Sequence, residues 1–426
     1  MIDILLVFVV LLALIASGLP IYASLLGTTA LFMLKMRLPL NLIVIKMFGS
    51  VNSFSLMAIP FFVIAGNIMA KVDITDKIVD LSDAIVGQLK GGLGHVNILA
   101  SMFFGGIQGS GIADASAIGG MLIPAMVKQG YDRDYAVAIT AGSSMLSPII
   151  PPSIAMILYS YYTEVPVSKM FLGGVLPGLI LVALQMGWNR IEYSRRGYQI
   201  PTKKFSFRRL GSTLYRSFPA LLMPLIIIVG IISGIVTATE AGVIAIAYGL
   251  AYGFFIARKL KLKDIPDIII NSIVTTAVVM ITIAAAGALS NVLVRMRFQS
   301  NVLGIVVNTI ANPVLGTLFL CFVLLVLGMF LDPTVLIAMF APTVLAIGNA
   351  FHYDPVFYGV MMVVIMQVGA ITPPVGSFLF VSCSVGNLPI EKVVKPLLPF
   401  IFTVMIMLLT CFLAPGIVTL LPRLMS

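Results

Sequence analysis

Charge is what this 426-residue chain has least of: Asp, Glu, Lys and Arg together make up 10% of it. A soluble domain carries about 25%, so the chain has no means of covering a water-facing surface. With 60% hydrophobic residues and a mean hydropathy of +1.12, it reads as an all-α polytopic membrane protein. Spans of about 20 residues leave room for ten or more. Histidine is confined to His95 and His352, which fit no metal-binding pattern. Cys321, Cys383 and Cys411 sit in apolar stretches without pairing or ligand spacing and read as small core residues. The G-x-x-x-x-G-K-[ST] loop is missing, so ATP binding by that route is excluded. No Ser/His/Asp or paired-acid arrangement marks an enzyme, and no cofactor is implied. The opening "MIDILLVFVVLLALIASGLP" has no basic residue before its apolar run, so it reads as a first span and not as a cleaved signal peptide.

The net charge of +10 is concentrated. Arg190, Arg195, Arg196, Lys203, Lys204, Arg208, Arg209 and Arg216 share one polar segment, and Arg258, Lys259, Lys261 and Lys263 share another. Short basic loops mark the cytoplasmic side of a membrane protein, and nucleic acid is the wrong partner to infer. The apolar stretch 218–257 between them fits two spans, so both segments can face the cytoplasm.

Two apolar runs far apart in the chain, "SPIIPPSIAMILYSYY" (147–162) and "GAITPPVGSFLFVSCS" (369–384), each carry a pair of adjacent prolines. A proline inside a helix costs roughly 3 kcal/mol. Other landmarks recur at nearly the same offset. "IASGLPIYASLLGTTALFMLKMRL" (15–38) resembles 231–260, and "GGIQGSGIADASAIGG" (105–120) has a counterpart in "LGMFLDPTVLIAMFAPT" (327–343), which sets Asp114 opposite Asp332. The chain is read as a duplication. Repeat one has spans near 4–16, 19–34 and 51–70, a hairpin at 95–127, a broken span at 135–162 and a span at 170–190. Repeat two has 218–236, 239–257, 266–295, a hairpin at 314–350, a broken span at 356–388 and a span at 396–421. A re-entrant helical hairpin adds no crossing, so each half crosses five times and the fold is two inverted repeats, each with a hairpin and a proline-broken helix. Inversion sets Lys35 and Arg37 outside, against the positive-inside tendency. The segment 190–216 is expected to join the halves, partly as an amphipathic helix on the membrane surface.

Irregular backbone survives at membrane depth only when buried in protein or lining a wet cavity. Interrupted helices in inverted repeats are how secondary transporters expose carbonyls to sodium and helix N-termini to anionic substrates. A first cation site would pair Gly109, Ser110 and Gly111 with the bend at Ser143, Ser144 and Ser147. A second would pair Asp332, Pro333 and Thr334 with Gly369, Thr372 and Pro373-Pro374. Asp114 and Asp332 are acids in apolar surroundings, which points to function, although either also suits a helix N-cap. Glu240 in "TATEAG" reads as a cap. Arg133, Arg295 and Arg297, at span ends, are weaker candidate partners for a carboxylate because such arginines usually snorkel.

The segments "IPFFVIAGNIM" (59–69), "GSGIADASAIGGMLIPAM" (109–126), "SPIIPPSIAMILYS" (147–160), "FLGGVLPGL" (171–179), "TATEAGVIAIAYGL" (237–250), "LDPTVLIAMFAPT" (331–343) and "ITPPVGSFLFV" (371–381) resemble the large membrane subunit of TRAP transporters, the tripartite ATP-independent periplasmic systems. The likeness runs through nearly the whole chain in order. Two departures stand out: Ala238, where the family usually has proline, and the basic stretch 290–302.

The resemblance implies import of an organic acid by sodium symport in the bacterial inner membrane, with an elevator motion. It implies two partners, a small four-helix membrane subunit and a periplasmic substrate-binding protein. The expected organisation is scaffold at 1–90, transport-domain half at 91–190, basic arm at 191–216, scaffold at 217–300 and the second transport half at 301–426. Sodium would be held by Gly109, Ser110, Gly111, Ser144, Ser147, Asp332, Thr334, Gly369 and Thr372. The substrate would meet Asp114, Ser116, Pro152, Ser153, Pro374 and Ser377. Sialic acid, another sugar acid or a four-carbon dicarboxylate all suit the family. A stand-alone sodium/dicarboxylate symporter or antiporter is the nearest rival; a channel or membrane enzyme fits less well.

Overall fold

Proline, glycine and small polar residues decide where the helices of this chain begin and end. The computed structural model describes residues 2–200, 205–310 and 312–425, and every regular element among them is helical. Lys203 and Lys204 lie outside the described residues. The first hairpin comprises Gly92–Gln108 and Gly111–Lys128, followed by a broken helix, Arg133–Ser143 and Ile154–Thr163. The second hairpin comprises Pro313–Gly328 and Pro333–Ala350, followed by Pro355–Gly369 and Ser377–Gly386. Ser110 and Ser153 cap helices in the first half with their hydroxyls; Asn312, Asp332 and Asp354 cap those of the second, each ahead of a proline in the first turn.

The duplication holds in detail. Helices start at 111 and 133 in the first half and at 333 and 355 in the second, so the offset between halves is the same for both. The Pro151-Pro152 and Pro373-Pro374 bonds keep that offset too, and both are cis. One expected pairing changes. The residue matching Asp332 as the cap of a hairpin's second helix is Ser110, not Asp114, which sits inside the helix that follows.

The two halves interlock. The second helix of each hairpin packs against the C-terminal part of the other repeat's broken helix: Gly111–Lys128 on Ser377–Gly386, and Pro333–Ala350 on Ile154–Thr163. At the centre stand the first parts of the broken helices. Tyr135–Ser143 and Val356–Gly369 are buried residue after residue, as expected of helices that are apolar all round. Around this body run Ile2–Ala16, Ile21–Lys35, Asn41–Val51, Ala58–Lys71, Phe207–Ile232, Ala238–Ala251 and Ile265–Arg295. On Ile265–Arg295 large side chains such as Ile273, Val274 and Val278 point outward, as a lipid-facing or partner-facing helix requires.

Among the described residues, six helices are long and apolar enough to cross a membrane, or seven if the pair Asn41–Val51 and Ser55–Lys71, bent by 70°, counts as one span. That bent pair replaces the single span expected at 51–70. Ile2–Ala16 and Ile21–Lys35 have 15 residues each, about 22 Å at 1.5 Å per residue, short of a 30 Å core. Lys35, the charge that inversion sets on the wrong side, lies 2.6 Å from Asp3.

The expected amphipathic arm is not a separate element. Val167–Arg195 runs on for 29 residues, and Phe207–Ile232 already contains Arg208, Arg209 and Arg216. The surface helix lies elsewhere, at Ile74–Val86, with Ile74, Ile78 and Leu81 buried and Asp76 and Asp80 exposed. It packs against both the first hairpin and Phe207–Ile232, where Arg209 pairs with Asp83 and Ser217 donates to the Lys77 carbonyl at 3.0 Å. Glu240 does cap its helix, accepting from the Thr237 backbone at 2.8 Å while Thr237 accepts from the Glu240 N–H.

Candidate functional site

Both hairpin tips close onto proline bends through backbone. Ile154 N–H donates to the Gly109 carbonyl at 3.4 Å, and Val375 and Gly376 N–H donate to the Met329 carbonyl at 3.2 and 3.4 Å. Gly109 has φ +62°, and a Cβ there would lie 2.2 Å from the Pro152 carbonyl oxygen. In the other half a Cβ on Gly369 would fall 2.3 Å from the Gly328 carbonyl carbon. Only glycine lets backbone meet backbone at these two points.

Prolines supply no N–H, so Pro151 and Pro373 withhold the donor that a continuous helix would give to the carbonyls of Ser147 and Gly369. These carbonyls occupy equivalent places in the two bends, although that of Gly369 accepts from the Thr372 N–H at 3.0 Å and keeps only its second lone pair. Beside the first, the Ser147 hydroxyl is fully buried without a hydrogen-bond partner. Beside the second, the Thr372 hydroxyl donates to the Val368 carbonyl at 2.7 Å and keeps its oxygen lone pairs. Ser144 likewise donates to Ala141 at 2.7 Å. Hydroxyl and carbonyl oxygens of this kind match a hard monovalent cation.

Between the tips lies a cavity of ≈ 400 Å³. Its inner wall is made by the tips and bends, including Gly109, Ser110, Gly111, Asp332, Thr334 and Ser377. The outer wall comes from Ile21 and Tyr22 on one surrounding helix and Val278, Val279 and Thr282 on another. Five helices begin at this cavity: those starting at Ile21, Gly111, Ile154, Pro333 and Ser377 each expose a first-turn residue to it. Helix N-termini carry partial positive charge and unsatisfied N–H groups, which suits an anion. Asp332 is the only charged side chain among the lining residues; its Oδ1 accepts from the Thr334 N–H at 2.9 Å and the Thr334 hydroxyl at 2.6 Å.

The sequence candidates sort by place. Gly109, Ser110, Gly111, Asp332, Thr334 and Ser377 line the cavity; Ser144, Ser147, Gly369 and Thr372 stand behind it in the bends. Ser153 is buried, capping its helix while donating to the Pro148 carbonyl at 2.6 Å, and Pro152 is buried against Gly109. Asp114, Ser116 and Pro374 do not line the cavity: Asp114 is fully buried, and the other two face outward. Arg133, Arg295 and Arg297 are also absent from the lining. Sequence reasoning missed Tyr22 and the outer wall, which belong to helices far from the bends. It also missed Gln367, whose buried Oε1 has no partner. A lone amide in "VVIMQVGA", just before the bend, was the available signal.

The chain matches the family model of the tripartite ATP-independent periplasmic transporter, DctM component, over residues 8–417. It is 37% identical over 418 residues to the uncharacterized protein YgiK of Salmonella typhimurium, covering 97% of this chain and 95% of that protein. It is 35% identical to the sialic acid TRAP transporter permease protein SiaT of Haemophilus influenzae, over 96% of this chain and 66% of that longer protein. Identity to the sialic acid TRAP transporter large permease protein SiaM of Vibrio cholerae is 32%, covering 97% of each chain.

Proposed function

The chain belongs to the DctM-component family of tripartite ATP-independent periplasmic (TRAP) transporters, and from that premise we propose that it imports an organic acid by sodium symport through an elevator motion. As a TRAP large permease it is a multi-pass protein of the bacterial inner membrane and not an enzyme. One observation supports the cargo reading above the others. Five helix N-termini converge on a cavity that has no cationic side chain among its described lining residues. An anion held there is stabilised by backbone N–H groups and by cations in the bends, not by an arginine.

In this reading, sodium at the first tip uses Gly109, Ser110, Gly111, Ser144 and Ser147. At the second it uses Asp332, Thr334, Gly369 and Thr372. The ions hold the tips against the bends, offset the charge of a carboxylate and complete the cavity. The interlocked hairpins and broken helices then cross as one body past the surrounding helices, with Ile74–Val86 as the strap between them. Removing the cations releases the tips, so an empty or half-loaded body crosses less readily. A small membrane subunit extends the static helices, and a periplasmic binding protein delivers the substrate. Two relatives carry sialic acid in their names and another, 32% identical, carries C4-dicarboxylate, so both acid classes belong among the substrates.

The test is uptake of a labelled carboxylate panel into proteoliposomes holding this chain and its small subunit. A sodium gradient and the cognate binding protein are each supplied or withheld. Uptake that requires both is expected, and the panel then names the substrate. Uptake without the binding protein would favour the stand-alone symporter instead.

A further inference from the structure

Asp114 is fully buried on Gly111–Lys128, and neither carboxylate oxygen has a hydrogen-bond partner. Ser101 of the facing hairpin helix lies beside it. The Ser101 hydroxyl is shared between the acid and Ser143. Asn97 donates through Nδ2 to the Thr140 hydroxyl at 2.8 Å, which turns its Oδ1 toward Ser143. Ser143 lies 3.0 Å from that Oδ1 and 3.0 Å from the Ser101 hydroxyl; when it donates to Asn97, the proton in the Ser101–Ser143 contact comes from Ser101. In that arrangement Ser101 has no proton left for Asp114. Two lone-pair-bearing groups then face each other with no exposed surface.

An ionised carboxylate without a partner is not sustainable there. A proton would satisfy one oxygen and orphan the other, whereas a metal ion engages both together with the Ser101 hydroxyl oxygen. The donor set is all oxygen and carries a single negative charge. Among the described residues no three His, Cys, Asp or Glu side chains gather to hold a metal, so a monovalent ion fits where a divalent one would be left under-neutralised. The second repeat has no counterpart: at the offset that relates the helix starts, Leu336, Met362 and Ile365 stand in place of Asp114, Thr140 and Ser143.

We infer that Asp114, with Ser101 and Ser143, holds a third sodium ion, about one helical turn below the point where Gly105 meets Ser147, in the first repeat only. This rests on the sodium-symport reading. The ion keeps the buried acid neutral while the body crosses, and it adds one charge to each cycle.

The experiment measures the thermal unfolding midpoint of the purified complex with its small subunit against sodium concentration, at pH 6 and pH 8. The steepness of that dependence reads the number of ions bound only by the folded state. D114N is expected to unfold cooperatively with a dependence shallower by one ion at both pH values, and to move one charge fewer per substrate in proteoliposomes. Should D114N not fold, Ser101→Ala provides the reading, with a several-fold weaker apparent sodium affinity expected. A D114N or Ser101→Ala dependence equal to wild type overturns the inference. So does a wild-type midpoint that follows both sodium and pH when D114N loses only the pH dependence, because Asp114 then carries a proton. A wild-type complex with no sodium dependence at all would sink the symport reading itself, which separates the two failures.

Discussion

The two hairpin–bend units share a backbone plan and differ in what fills it. In the first, a two-residue tip, Gly109 and Ser110, presses on a bend whose residues from Ser143 to Ser153 are buried apart from the half-buried Ile150. Below it lies the Asn97, Ser101, Asp114, Thr140 and Ser143 cluster, each residue with no exposed surface. In the second, a longer tip, Met329 to Asp332, meets a bend whose Pro374 and Val375 are exposed, and the matching interior is apolar. Duplication kept the geometry that breaks helices, because that depends on a few glycines and prolines. The side chains behind each bend were free to diverge. The first unit concentrates buried polarity and the second leaves its bend open to the surroundings.

The largest expected effect tests what the units share. Gly109→Ala and Gly369→Ala each drive a Cβ into backbone, at 2.2 and 2.3 Å, so each tip is displaced from its bend. A misplacement of about 1 Å at a working site can cost about 10²-fold in rate. Sodium-driven uptake is expected to fall by that order in both variants while their amounts in the membrane stay normal. Uptake within twofold of wild type in either one would show that its tip need not close.

The next comparison separates the two cation sites. Ser147→Ala removes a buried hydroxyl with no protein partner, whereas Thr372→Ala removes one already engaged with the Val368 carbonyl. A net hydrogen-bond-sized loss of about 1 kcal/mol, or roughly fivefold, is expected in the sodium concentration for half-maximal uptake with Ser147→Ala. A smaller rise is expected with Thr372→Ala. Two unchanged sodium curves would mean that the side chains are not ligands and that carbonyls alone serve.

The smallest effect comes from a region that belongs to neither unit. Arg196 binds Asp132 at 2.8 Å, Asp134 at 3.2 Å and Glu192 at 2.9 Å on the basic side of the protein. The Tyr198 hydroxyl, aided by Arg196 and opposed by partial burial, holds the Asp132 carboxyl below its ordinary value of 3.8. A depressed carboxylate pKa contributes stability that is complete above that ordinary value and disappears as pH falls through the lower folded one. Because Asp132 is mostly solvent-facing, Arg196→Ala should cost about 1 kcal/mol or less in unfolding measurements near neutral pH. It should leave both sodium dependences unchanged; a shift in either would tie this cluster to one of the units.

Much of the fold was legible because helix breaking is local chemistry. Pro151-Pro152, Pro373-Pro374 and the glycines at 105–111 mark where regular hydrogen bonding must fail, and the hairpins and broken helices follow within a few residues. The break inside 41–71 was not legible, since no proline falls between Asn52 and Phe54 and the 70° bend is set by packing. The surface helix Ile74–Val86 was missed, although its apolar period was there to be read. Asp114 and Asp332 show the limit most clearly. Their spacing is close to that of the repeat, so they look like partners. The tips differ in length, however, so the helix starts align Asp332 with Ser110 and leave Asp114 buried inside its helix.

The sequence alone determined that this is a duplicated membrane protein with two interrupted helices and two helical hairpins, because composition sets the solvent and proline and glycine set the breaks. Only the tertiary structure decided that five helix starts open on one cavity, that each hairpin completes the other repeat, and that Asp114 stands buried apart from that cavity. Those facts depend on which distant segments touch, and no local preference of the chain encodes that.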